Sequence, residues 1–141
     1  MAAFNKFNAF VENLSEKVHN LQSDTLKVML TNTAPNATDA VLADLTEISA
    51  GNGYTAGGTT ATQSSSAQSS GTYKLVLADV TFTASGGSIG PFRYAVLYND
   101  TPTSPADPLI GYWDYGTALT LTSGNSFSVD FDAASGVLTL A

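Results

Sequence analysis

Residues 90–116, GPFRYAVLYNDTPTSPADPLIGYWDYG, decide the fold class. Phe92, Tyr94, Val96 and Tyr98 alternate with Ala95 and Leu97, the pattern of an extended strand that is apolar on both faces. Leu109, Gly111, Trp113 and Tyr115 then alternate with Ile110, Tyr112 and Asp114. A polar loop from Asn99 to Asp107, carrying Asp100, Pro102 and Pro105, joins the two runs. Adjoining strands with bulky side chains on both faces belong in the covered middle of a β structure. Arg93, the one basic residue here, is expected to pair with Asp114 or stack on Tyr112 across the sheet.

Working outward, Thr25–Asn32 reads as a strand with Leu26, Val28 and Leu30 on one face and Lys27 and Met29 on the other. Thr72–Thr83 reads as a strand whose parity shifts at Ala78-Asp79, which predicts a bulge or break. Thr117–Leu121 adds a short strand. In Ser126–Phe131 the side chains of Phe127, Val129 and Phe131 face inward, and Val137–Leu140 closes the sheet. Val41–Ile48 suits a short helix capped by Thr38 or Asp39. Ser49–Ser70 is rich in Gly, Thr and Ser and reads as a long loop, a weak strand and a mobile tip. About eight short strands between Gly, Pro and Asn turns predict a mainly β chain. The expected form is a jelly-roll-like antiparallel β-sandwich over residues 22–141.

Residues 1–21 stand apart as an N-terminal helix or arm. Phe4, Phe7, Val11, Leu14, Val18 and Leu21 recur at spacings of three and four, and Phe10 widens the stripe. Asn5, Asn8 and Asn13 are poor helix formers, so such a helix needs a surface to lie on. That surface is either the protein's own sheet or a neighbouring subunit. In the second case Phe4, Phe7, Phe10, Val11 and Leu14 are the anchors.

Composition limits what the chain can do. Charged residues make up 12% of its 141 residues, so Thr, Ser, Asn and Gly must build much of the exterior. Interface cores are likewise poor in Lys, Glu and Asp, so this composition suits a protein held in an assembly. Five basic against twelve acidic residues give a net charge of −7, which argues against nucleic acid as a partner. No apolar run reaches the length of a membrane span, and the first residues lack a signal peptide's basic start. The expected place of synthesis is the cytoplasm.

Chemistry-bearing patterns are few. His19 is the single histidine, expected to cap the end of the helix. No cysteine, GxSxG elbow, HExxH pair or phosphate-loop motif accompanies it. Asp130 and Asp132 share a face but read as solvated, and a calcium site at Asp100 and Asp107 has no EF-hand support. The expectation is no enzyme activity and no cofactor.

The strings SDTLKVMLTNTAP (23–35), ADLTEISAGNGYTAGGTT (43–60), GPFRYAVLYNDT (90–101) and DPLIGYWDYG (107–116) resemble a family of small tailed-bacteriophage virion proteins. The resemblance extends from about Asn20 to Ala141. It implies a structural role, of which the capsid cement or decoration type fits best. Such a protein, made in the bacterial host, sits on the outer capsid surface. It binds the major capsid protein and itself, as a dimer or trimer. Besides the N-terminal anchors, the expected contact residues are Asp100, Pro102, Pro105 and Asp107. The alternative is a tail- or neck-associated receptor- or carbohydrate-binding module that stacks sugar on Tyr98, Tyr112, Trp113 or Tyr115.

Overall fold

The computed structural model describes residues 2–141 and is mainly β, with antiparallel sheets packed on one another. Ten strands are present among the described residues: β1 (Asn5–Lys6), β2 (Leu26–Thr31), β3 (Thr59–Ala61), β4 (Gln63–Ser69), β5 (Thr72–Leu77), β6 (Val80–Thr83), β7 (Ile89–Asn99), β8 (Leu109–Leu121), β9 (Ser126–Val129) and β10 (Leu138–Leu140). One helix, α1 (Asn8–Ser15), and a short 3-10 turn (Leu42–Asp44) complete the set. The strands form a five-stranded sheet β1-β8-β7-β2-β3, a three-stranded sheet β10-β5-β4 and a ribbon β6-β9.

Both faces of the central sheet are covered, as the aromatic pair predicts. On one face Leu26, Val28, Leu30, Ala95, Leu97, Ile110 and Trp113 pack with Leu75, Leu77, Val80 and Phe82 from the opposing layer. On the other, Met29, Val96, Tyr98 and Leu109 pack with Phe7, under Leu42, Leu45 and Tyr112. The predicted break at Ala78-Asp79 is real: β5 and β6 lie on either side of it and join different sheets.

Strict alternation fails where the ladder slips. Leu97 pairs with Gly111 but Tyr98 pairs with Leu109, so Ile110 is an extra residue in β8. Leu109 therefore lies opposite Trp113 in the sheet instead of beside it. A second slip separates the Phe92–Leu119 pair from the Tyr94–Asp114 pair, and Phe92 joins Ala95 and Leu97 in the inner core.

Three further expectations are corrected. The helix predicted over residues 4–21 is confined to Asn8–Ser15, because β8 needs an edge partner and Asn5 and Lys6 supply it against Tyr112 and Gly111. Phe7 has extended backbone at the helix N-terminus, and Lys17, at φ 68, ends the helical path beyond its last turn. Residues 2–21 are thus continuous with the body. Val41–Ile48 forms only one 3-10 turn, whose cap is Val41, with the Asp44 carboxylate accepting from the N–H groups of Ala40 and Val41. The Ser-rich run holds the expected strand, β4, but its end is no mobile tip: it pairs with β5 through a two-residue turn at Ser70 (φ 50) and Gly71 (φ 85).

Candidate interaction surface

The loop between β7 and β8 follows from its anchors. Asn99 is fully buried, its N–H donating to the Pro108 carbonyl at 3.0 Å. The Asp100 N–H donates to the Thr25 carbonyl at 2.8 Å, and the Thr25 N–H donates to the Thr101 hydroxyl at 2.8 Å. The Thr101 N–H donates to Asn99 Oδ1 at 3.1 Å. Lys27 from β2 holds the Asp100 carboxylate at 2.9 Å. On the far side the Leu42 N–H donates to the Asp107 carbonyl at 3.0 Å. Both ends of the loop are therefore pinned to other elements. Thr103, Ser104, Pro105 and Ala106 stay exposed at its tip, closed by a bridge between Thr103 and Ala106.

Of the predicted contact residues, Asp100 and Pro105 are exposed, while Pro102 and Asp107 are half-buried. Burial, then the neighbouring Asp100 carboxylate, raises the Asp107 pKa above the usual carboxylate range. Among the described residues no group of three or more His, Asp or Glu side chains could hold a metal ion.

The N-terminal anchors divide differently. Phe7 and Phe10 are interior, at 0% and 2% exposure, on opposite sides of the central sheet. Phe4 is half-buried, its ring 5.4 Å from that of Trp113 and lying over Gly111. Leu14 is half-buried, and of the five only Val11 is well exposed, at 45%. The stripe packs on the protein's own sheet.

A groove of about 270 Å³ opens between β7–β8 and β9, with Phe92, Trp113, Phe127 and Val129 in its lining and Tyr115 among them. Arg93 forms a two-pronged pair with Asp114, Nε to Oδ1 at 2.8 Å and Nη2 to Oδ2 at 3.0 Å. Its guanidinium lies 5.4 Å from the centre of the Tyr94 ring, so the stacking partner is Tyr94 and not Tyr112. Of the four rings expected as a sugar platform, Tyr98 and Trp113 are buried, Tyr112 is half-buried and Tyr115 is exposed at 53%.

His19 lies beyond the end of the helix it was expected to cap. It is buried beside Phe10, and burial lowers its pKa to about 4 against the opposing pull of Asp24. No short-range sequence signal reveals this site, since Asn99, its hydrogen-bond partner, comes from the far end of β7.

No family model matches the chain, and neither does any curated protein or solved structure.

Proposed function

We propose that this chain is a non-enzymatic structural protein of a tailed-phage virion, of the cement or decoration type. In this reading it binds the outer capsid surface, stabilises contacts between major capsid proteins and associates with itself. The observation that carries the reading is the Thr103–Ala106 tip, exposed yet pinned at both ends. A docking loop already held in shape loses little entropy when it binds. Many such contacts over a lattice add up by avidity. The sparse charge and the net charge of −7 favour an outer surface over contact with packaged DNA. The burial of Tyr98 and Trp113 takes two rings from the platform that a sugar-binding tail module would use.

Adding purified protein to particles that lack it tests the reading. The unaltered protein should saturate the capsid shell, and a Thr103→Glu, Ala106→Glu variant should remain folded but fail to bind. Decoration of tails alone, or shell binding that the loop variant retains, would overturn it.

A further inference from the structure

The margins of the sheets are unequally protected. Among the described residues strand β4 is the longest marginal strand, with β5 on one side and no strand on the other. Open edges are normally guarded by charge, proline, brevity or a bulge. Gln63–Ser69 contains no charged residue and no proline, and its only irregularity lies at its start, between Gln63 and Ser65. By contrast, the outer half of β8 is broken over Tyr115–Ala118, and β1, β3 and β10 have three residues or fewer. From Ile48 to Tyr73 the chain carries no formal charge at all.

The pairing register shows which main-chain groups are free. In a two-residue hairpin the closing pair, here Ser69 and Thr72, exchanges both hydrogen bonds. By alternation Ala67 and Ser65 turn their main-chain groups toward β5, and Gln68 and Ser66 turn theirs outward.

We propose that β4 is a self-association edge, at which a second copy of this chain pairs antiparallel about a two-fold axis at Ala67. Ser66 then pairs with Gln68 of the second copy, and Gln68 with its Ser66, giving four main-chain hydrogen bonds. The two three-stranded sheets become one of six strands. Two observations select a second copy as occupant. Each copy carries a net charge of −7, so two copies approach best along a strand with no acidic side chain of its own; β4 has none, and Lys74, paired with Ala67, is a charge beside it. An antiparallel edge is also complementary to itself, and the small Ala67 at the axis lets the strands close to pairing distance. The proposal deepens the self-association part of the function proposed above and is independent of its capsid part.

The test is sedimentation equilibrium of the pure full-length protein from about 10 μM to about 1 mM, with amide hydrogen exchange at both ends of that range. A monomer–dimer equilibrium is expected, with Ser66 and Gln68 amides protected only at high concentration. Ser66→Pro removes an outward N–H and should weaken the dimer about tenfold or more. Should that variant fold poorly, Ala67→Lys keeps the Ala67 amide bonded to β5 and sets like charges at the axis, with the same expected loss. A monomer throughout would overturn the proposal. So would a dimer that both folded variants retain, or equal exchange of the two amides at both concentrations. Capsid binding is not read here, so this result stands apart from the particle-addition test.

Discussion

The side-chain amide of Asn99 donates to His19 Nδ1 at 3.1 Å, across 80 positions of sequence and with both residues buried. The same nitrogen donates to Asp24 Oδ2 at 2.7 Å, and that oxygen also accepts the Asn20 N–H at 2.8 Å. One amide thus ties the N-terminal segment to the end of β7. With Nδ1 accepting, the imidazole is neutral and carries its proton on Nε2.

Acid should loosen this tie. The ordinary His pKa of 6.5 falls to about 4 in the folded chain, chiefly through burial. Between those values the unfolded chain takes up a proton that the folded chain refuses. The His19 contribution is therefore complete above pH 6.5 and is lost as pH falls toward 4, by about 2–3 kcal/mol. Urea unfolding across that window, compared between the parent and His19→Gln, isolates this slope from the carboxylates. Parallel stability curves would contradict it.

Residues 1–21 should prove indispensable for folding. Phe7 and Phe10 are interior and β1 covers part of the β8 edge. Phe10→Ala should cost about 3–5 kcal/mol, and deletion of residues 1–21 should abolish the β-sheet signal or cause aggregation. Circular dichroism and thermal melting report both. A truncated chain with an unchanged melting temperature would restore the detachable arm.

Tyr54 acts as a polar pin in the core. Its hydroxyl accepts the buried Leu30 N–H at 3.0 Å and donates to Glu47 Oε1 at 2.6 Å. Glu47 Oε1 also accepts the Gly57 N–H at 2.6 Å, so the Gly-rich loop is fastened to β2 through this ring. Tyr54→Phe preserves the packing, orphans the buried Leu30 N–H and leaves Glu47 Oε1 with the Gly57 N–H, at an expected cost of about 1–3 kcal/mol by denaturant titration.

Two glycines at similar φ should respond unequally to alanine. At Gly58 (φ +80) an added Cβ would lie 1.9 Å from the Val28 carbonyl oxygen, whereas at Gly71 (φ +85) it would meet nothing within 4 Å. Gly71→Ala should cost about 1–2 kcal/mol from backbone conformation alone. Gly58→Ala should exceed that by about 2 kcal/mol or more, because β2 must also move. Equal melting temperatures would mean that Gly58 does not lie against β2 as described.

The strands were legible wherever apolar alternation met a covered face: Leu26–Leu30, the break at Ala78-Asp79, and Phe127 with Val129. Strand β4 was legible only as a weak strand, because an edge strand with small polar side chains on both faces has no hydrophobic period to read. The N-terminal stripe misled for a different reason. Spacings of three and four fit a helix face, yet a two-residue strand followed by a short helix places Phe4, Phe7 and Phe10 equally well. The slips at Ile110 and Tyr115–Ala118 depend on the partner strand and leave no trace in local pattern. At the candidate surface, the Arg93–Asp114 pair and the exposed Pro105 could be foreseen from spacing. The pinning of the loop by Thr25, Lys27 and Leu42 could not, because those contacts join distant parts of the chain.

The most direct measurement is the copy number of this protein in purified phage particles, by quantitative protein profiling against the major capsid protein. A cement role predicts hundreds of copies per particle, in fixed ratio to the shell. A few dozen copies or fewer, following the tail or neck proteins, would contradict it.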